Sequence, residues 1–158
     1  MQPSTKRSAV GRRLFGACVA LLIVAGLPAV ARAQSAPPLR STVFPADSAR
    51  SRRTGNVPQR SIVDTATAIL AKLEMHETTI AAGAMPHPAH KHVHEELIVV
   101  RSGTIEVLLD SKTLKAGPGD IAFMASNEMH GFRNPGPGTA SYLVIRLDTR
   151  DQPPEAKP

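Results

Sequence analysis

The chain has 158 residues and a formal net charge of +6 at pH 7, with one cysteine and no tryptophan. Residues 1–33 hold five of the 19 Lys and Arg residues and none of the 13 acidic residues, so the remainder is almost neutral. The basic charge therefore gives no support for a nucleic-acid partner. With Cys18 as the only cysteine, a disulfide framework within the chain is excluded.

Residues 1–33 have the composition of a cleaved export signal peptide. Basic residues precede an apolar run from Leu14 to Val30, and the sequence ARA at 31–33 is a small-x-small cleavage motif. The sequence RRLF at 12–15 resembles the twin-arginine export signature, so that route and the general secretory route both stay open. The leader predicts a periplasmic or secreted protein with no stable membrane anchor after cleavage.

The rest of the chain is predicted to have three parts. Residues 34–60 are rich in Pro, Ser, Arg and Ala and predict a linker or an extended arm. Residues 151–158 carry three prolines and predict a loose tail. The residues between them, 61–150, are sufficient for one domain.

Residues 61–150 predict an all-β domain of short antiparallel strands. Segments 104–108, 121–124 and 142–147 alternate apolar and polar residues, and turn-forming residues separate them. The segment 62–73 also fits a helical stripe, but the β-branched residues at 78–80 favour a strand over 69–76. We therefore predict a small antiparallel β-sandwich or barrel.

The stretch from His90 to Gly103, HKHVHEELIVVRSG, places three histidines and two glutamates before an apolar run. In a continuous strand, residues two apart face the same side, so His90, His92 and Glu96 would project together into a barrel. Burying these groups without partners would cost several kcal/mol, and a divalent cation bound by all of them removes that cost. His94 has the same parity and is a rival ligand, unless a bulge turns it away.

These residues resemble the two sequence motifs of the cupin superfamily. The first motif is matched by Gly83, His90, His92, Glu96 and Gly103. The second is matched by Gly119, Ala125, Asn127, His130 and Asn134, with Ala125 and Asn127 in place of the family's proline and glycine. Asn tolerates the left-handed backbone conformation, so Asn127 can replace a turn glycine. The resemblance predicts a small exported single-domain cupin, with the jelly-roll-like barrel known as a double-stranded β-helix.

The resemblance also implies that His90, His92, Glu96 and His130 coordinate one divalent metal ion. Imidazole and carboxylate donors suit manganese, iron, nickel or zinc. The reaction stays open, because cupins include oxygenases, isomerases, decarboxylases and proteins that only bind. Our leading interpretation is a metal-dependent enzyme, of dioxygenase or isomerase type, acting on a small-molecule substrate that chelates the metal through two oxygens.

Two non-enzymatic interpretations stay open beside it. A periplasmic protein that only binds a metal or a small ligand needs no titratable pocket residue beyond the ligands, and the strand parities identify none. A flexible histidine tract, formed by residues 87, 90, 92 and 94, would hold several ions weakly and would not depend on His130.

The remaining assignments concern residues outside the four ligands. We interpret His76, His87 and His94 as bystanders. Aromatic and methionine side chains are mostly expected in the core, and the candidates for the substrate pocket are Phe123, Met129 and Tyr142. The edge strands and the arm are compatible with a homodimer.

Overall fold

The computed structural model describes residues 37–54 and 57–153, which fall in the second of two units of the chain, Ser35–Pro158. The predicted signal peptide and most of the predicted tail, residues 154–158, lie outside the described residues. Within the described ranges, no helix has the length and apolarity needed to cross a membrane.

Antiparallel β-strands build the described part of the chain. A short 3-10 helix, Ala46–Ser48, precedes them, and the strands are β1 Arg50–Thr54, β2 Val57–Thr65, β3 Leu70–Ile80, β4 Glu95–Ser102, β5 Ile105–Leu109, β6 Lys112–Ala116, β7 Ile121–Met124, β8 His130–Arg133 and β9 Ala140–Thr149. They form a six-stranded sheet in the order β1-β2-β3-β9-β4-β7 and a three-stranded sheet in the order β6-β5-β8. The predicted all-β, jelly-roll-like fold is confirmed.

The core joins the two sheets through the alternating apolar residues of their strands. The six-stranded sheet contributes Ile98, Val100 and Tyr142, and the three-stranded sheet contributes Ile105 and Val107. Each large aliphatic side chain that is fully buried stabilises the fold by about 1.5–3 kcal/mol. An aliphatic core of this kind explains how the domain folds without tryptophan.

The segment with two interpretations is a strand, and the helical alternative is wrong. β3 pairs with β2 on one side and with β9 on the other. Its buried residues include Glu74, Thr78 and Ile80, so the inward face of this strand begins with polar side chains and ends with an apolar one. This inward polar face is important for the site described below.

The linker predicted for residues 34–60 contains more structure than the sequence indicated. β1 and the first residues of β2 lie within it and pair as an antiparallel hairpin at the edge of the larger sheet. All five side chains of β1 are exposed. An exposed edge strand needs no apolar alternation, and its polar composition therefore gave no strand signal.

Two residues with left-handed backbone conformations fix turns between strands. Asn127 has φ 62°, which bears out its role as a replacement for a turn glycine. Gly103, between β4 and β5, has φ 70°, and a Cβ atom there would lie 2.8 Å from the Cα atom of Ala140. Position 127 therefore tolerates Asn, whereas position 103 accepts only glycine because a Cβ atom there would clash with Ala140.

Candidate metal centre

A cavity of about 260 Å³ in the barrel has two groups of side chains with different chemistry. One group, which we call the histidine wall, consists of His90, His92, His94 and Glu96. The other group, the β3 wall, consists of Glu74, His76 and Thr78. The complete lining is Arg52, Thr54, Gln59, Glu74, His76, Thr78, Pro86, His87, His90, His92, His94, Glu96, Phe132, Tyr142, Val144 and Arg146.

The histidine wall is held by backbone hydrogen bonds and not by one continuous strand. β4 begins at Glu95, so the prediction that His90 and His92 lie in the same strand as Glu96 is wrong. His90 instead forms an isolated antiparallel bridge with His130, in which each N–H donates to the other residue's carbonyl at 2.9 Å. The Asn127 N–H donates to the carbonyl of His92 at 2.7 Å. These bonds bring the side chains together without a regular alternation.

The possible ligand atoms form two triads that share His92. The first triad is His90, His92 and His130, and the second is His92, His94 and Glu96. Within each triad, the ligand atoms lie within 4.8 Å of one another. All four ligands implied by the cupin resemblance are therefore in this cluster, together with His94.

Two of the histidines are oriented as metal ligands would be. Nδ1 of His92 lies 2.8 Å from the carbonyl oxygen of His94, and Nδ1 of His130 lies 2.9 Å from that of Glu128. A carbonyl can only accept, so each Nδ1 donates, and the lone pair of a neutral ring is then on Nε2. Both Nε2 atoms are buried and have no hydrogen-bond partner among the described residues. Metal-binding histidines characteristically donate their other ring nitrogen in this way.

The electrostatics of the wall favour the protonation states that metal binding requires. Burial opposes ionisation of Glu96, but the contacts of its carboxylate with His92 and His94 outweigh burial and hold the pKa of this carboxyl well below its usual range. Burial lowers the pKa of His130, against the effect of its hydrogen bond to the Glu128 carbonyl. Burial and the neighbouring imidazoles also lower the pKa of His90. These shifts favour an ionised Glu96 and neutral imidazoles at His90 and His130.

His92 differs from its neighbours because it lies beside the carboxylate. Its Nε2 is 3.6 Å from Oε2 of Glu96. Burial disfavours the charged ring, but the nearby negative charge of Glu96 outweighs burial and raises the pKa of His92. A metal ion bound at Nε2 would take the place of a proton on this ring. The donor set therefore fits one divalent cation with nitrogen and oxygen preferences.

Of the three histidines interpreted as bystanders, His94 lies in a ligand triad, whereas His76 and His87 lie in neither. The His94 ring is buried and stacks on His92, with centroids 3.5 Å apart, and its Nε2 lies 3.1 Å from Oε1 of Glu96. The exposed His87 ring lies 4.5 Å from that of His90, and His76 lines the same cavity. The shared parity of His94 with the ligands was the signal in the sequence for its inclusion.

The three pocket candidates have different positions. Tyr142 is buried and lines the cavity. Phe123 and Met129 are 53% and 42% exposed and do not line it, which corrects their assignment. Phe123 pairs with Leu97 on β4, whereas the next residue, Met124, pairs with Glu96 and is buried. The alternation of β7 therefore directs Phe123 to the outer face.

The β3 wall was missed in the sequence. Oε1 of Glu74 lies 2.8 Å from Arg52 and 3.3 Å from Nδ1 of His76, and Oε2 lies 3.1 Å from Lys72. The close contact with His76, helped by Lys72 and Arg52, outweighs burial and holds the pKa of Glu74 well below its usual range. Because Glu74 and His76 are two residues apart in a strand, the sequence predicted that they share a face of β3. It did not predict that this face is directed into the barrel.

The fold and this site together define a small β-barrel protein with a histidine-rich, metal-capable cavity. Residues 76–146 match the family model described as a cupin domain. A comparison with curated proteins finds no match. Residues 76–146 thus form a cupin domain, and the described part of the chain has the fold of small single-domain cupins.

Solved structures agree with this fold. The chain is similar to an RmlC-like cupin from Shewanella frigidimarina, with 18% identity, a TM-score of 0.56, and coverage of 70% of this chain and 95% of that one. It is also similar to a predicted oxalate decarboxylase from Thermotoga maritima, with 16% identity, a TM-score of 0.56, and coverage of 67% of this chain and 98% of that one. A third similar structure is that of the polyketide cyclase RemF from Streptomyces resistomycificus, with 23% identity, a TM-score of 0.56, and coverage of 75% of this chain and 84% of that one. At these identities the similarity shows the fold alone.

Proposed function

We propose that this protein is an exported metal-dependent enzyme that acts on a small substrate with two oxygen donors. One divalent ion, manganese, iron, nickel or zinc, would be held by His90, His92, Glu96 and His130. The observation that carries the proposal is the pair of buried, unpartnered Nε2 atoms on His92 and His130, each on a ring whose Nδ1 donates to a backbone carbonyl. Unsatisfied buried nitrogens cost about 1–3 kcal/mol each, a cost that metal binding removes.

The cavity supports a small substrate. Its volume of about 260 Å³ suits a compound with few heavy atoms, such as a 2-oxo acid, an enol or a catechol-like molecule. A bound divalent ion would supply Lewis-acid polarisation of a carbonyl oxygen. The decarboxylase and the cyclase among the structural relatives are consistent with small-molecule chemistry on this fold.

The β3 wall supports an enzyme over a protein that only binds. A pure binding module needs no titratable group in the cavity apart from its ligands. Glu74 and His76 both line the cavity and belong to neither ligand triad. A titratable group with a perturbed pKa in a cleft, as Glu74 is, is typical of catalytic sites.

Export and assembly complete the proposal. We assign the leader to export into the periplasm or out of the cell, and the twin-arginine route would carry the protein already folded with its metal. A homodimer would cover edge strands such as β1 and β7, which otherwise present unpaired backbone groups. Cell fractionation and light scattering of the purified protein test these two points.

The central test is the metal content of protein purified from its exported form, measured by elemental analysis. Wild type should contain about one divalent ion per chain, and His130→Ala should lose it. His87→Ala is the matched control, because it removes a cavity histidine that is in neither triad. Several weakly held ions that are indifferent to His130→Ala would instead support the histidine-tract interpretation and overturn the proposal.

Chelation of the bound metal by a small substrate distinguishes an enzyme from a protein that only stores the metal. With manganese bound, the relaxation rate of water protons should fall when 2-oxobutyrate is added, because a chelating compound displaces water from the ion. Oxalate serves as a strong chelating reference. A tightly bound ion that neither compound reaches would support a protein that only holds a metal.

A further inference from the structure

We propose that His76 and Glu74 form a proton-transfer pair that acts on the carbon next to the substrate carbonyl. His76 would be the acid–base group, and Glu74 would be its positioning residue. The inference rests on the proposed function and deepens it, because it selects an isomerase-type reaction on an enolisable 2-oxo compound over an oxygenase reaction.

The register of the larger sheet sets the distance between this pair and the metal ligands. Glu74 on β3 and Glu96 on β4 are both direct neighbours of Arg146 on the intervening strand β9. Adjacent strands are about 4.8 Å apart, so the backbones of Glu74 and Glu96 are about 10 Å apart. Side chains from both strands line one cavity, and the space between them accommodates a small substrate.

The contacts within the pair suit proton transfer. Nδ1 of His76 is buried and lies 3.3 Å from Oε1 of Glu74, but it forms no aligned hydrogen bond with any described group. Catalytic hydrogen bonds are often long or poorly aligned before the substrate binds. Arg52 and Lys72 keep Glu74 ionised, so its carboxylate can orient the His76 ring and stabilise the imidazolium.

The step requires no oxidant or reductant. A ring nitrogen of His76 takes a proton from C3 of the 2-oxo compound, and the C–H electron pair forms the C2–C3 double bond of an enolate. The negative charge moves to the former carbonyl oxygen, and the imidazolium lies beside the Glu74 carboxylate. Return of the proton to C3 restores the compound, and its delivery to another atom gives an isomer. In D₂O, C3 receives a deuteron in place of the proton that it lost.

The division of the cavity histidines supports this assignment. Among the histidines that line the cavity, His90, His92 and His94 are in a ligand triad, whereas the half-buried His76 and the exposed His87 are in neither. His76 is therefore available for proton transfer when the metal ligands are occupied. Its side chain is 13% exposed, which combines shelter from water with access from the cavity.

The experiment measures deuterium uptake at C3 of pyruvate and 2-oxobutyrate in D₂O, by mass spectrometry, with manganese-loaded protein. Wild type should accelerate the exchange above the rate with His130→Ala. His76→Ala should lose about 100-fold or more of the acceleration, in line with general acid–base contributions. Added imidazole should restore part of it. His76→Asn provides a second variant of similar size if the alanine variant folds poorly.

Glu74→Gln tests the positioning role against Glu77→Gln, a matched change in the same strand. Glu77 pairs with Arg60 and is not in the cavity lining. Glu74→Gln should lower exchange about tenfold or more, and Glu77→Gln should not change it. In the metal-free protein, long-range ¹H–¹⁵N NMR should show the His76 proton on Nδ1 in wild type and a different tautomer balance in Glu74→Gln.

The outcomes separate the two proposals. If both probes chelate the bound manganese but exchange is absent, or is equally fast in His76→Ala, the proton-transfer pair is overturned and the proposed metal site stands. If the metal is absent, or if no 2-oxo probe reaches it, both the substrate class and the inference fail. An unchanged His76 tautomer in Glu74→Gln would exclude Glu74 as the positioning residue.

Discussion

The histidine wall and the β3 wall bound the same cavity, yet the carboxylates of the two walls have different partners. On the histidine wall, Glu96 contacts imidazole rings, and Nε2 of His92 has no hydrogen-bond partner among the described residues, as is also true of the adjacent His130. The β3 wall surrounds one carboxylate, Glu74, with Arg52, Lys72 and His76. The first arrangement needs a cation from outside the chain, whereas the second already contains its cations. A metal ion should therefore bind to one wall only.

The largest expected effect follows directly from this difference. His92→Ala removes the residue that both triads share, so divalent-metal affinity should fall on the order of 1,000-fold, beyond the effects typical of outer-shell residues. His76→Ala should change it by less than about threefold. Competition with a chromophoric chelator measures both variants. Equal losses would mean that the β3 wall also binds the ion.

Asn134 connects the two walls, and its removal should give the largest change in stability. It follows β8, which carries His130, and its buried amide donates to the carbonyl of Ile80 at the end of β3 and to that of Gly138. Asn134→Ala leaves the Ile80 carbonyl without this donor and should lower the free energy of unfolding by about 3 kcal/mol. Denaturant unfolding of the metal-free protein measures this change. A loss below about 0.5 kcal/mol would show that water replaces the amide.

The same contrast explains what the sequence could predict. The histidine wall comes from one short segment and His130, so local spacing identified its four ligands, even though His90 and His92 proved not to lie in a strand. The β3 wall depends on which face of β3 is inward, and this is set by pairing with β2 and β9. Sequence alternation gives two faces but does not orient them when the inward face carries Glu and His. Phe123 was misplaced for the same reason.

Glu74→Gln tests whether the β3 wall is stabilised by its own charges. Hydrogen bonds to charged groups contribute about 2 kcal/mol, so this variant should be less stable at pH 7 by about that amount. The folded-state pKa of Glu74 is lowered from the ordinary 4.5, so its contribution is present above that pH and is lost as pH falls through the folded value. Acid unfolding should therefore destabilise wild type more than Glu74→Gln.

The control for this change is Glu77→Gln, which removes a more exposed pair on the same strand. Oε2 of Glu77 lies 2.9 Å from Arg60, and both side chains are more accessible than that of Glu74. Its loss should cost about 0.5 kcal/mol or less. Equal costs for the two variants would contradict the view that burial makes the Glu74 network distinctive.

The smallest expected effect concerns His94, which lies at the boundary between ligand and supporting residue. Its Nε2 donates to Oε1 of Glu96 when that carboxylate is ionised, which leaves Oε2 on the side of His92. If His94 only orients Glu96, His94→Ala should weaken metal binding about tenfold, and His94→Gln should recover part of this loss because its amide can donate in the same direction. A loss as large as that of His92→Ala, with no recovery in the glutamine variant, would instead make His94 a ligand. The ion would then be centred on the triad of His92, His94 and Glu96, and His90 would be the residue that supports it.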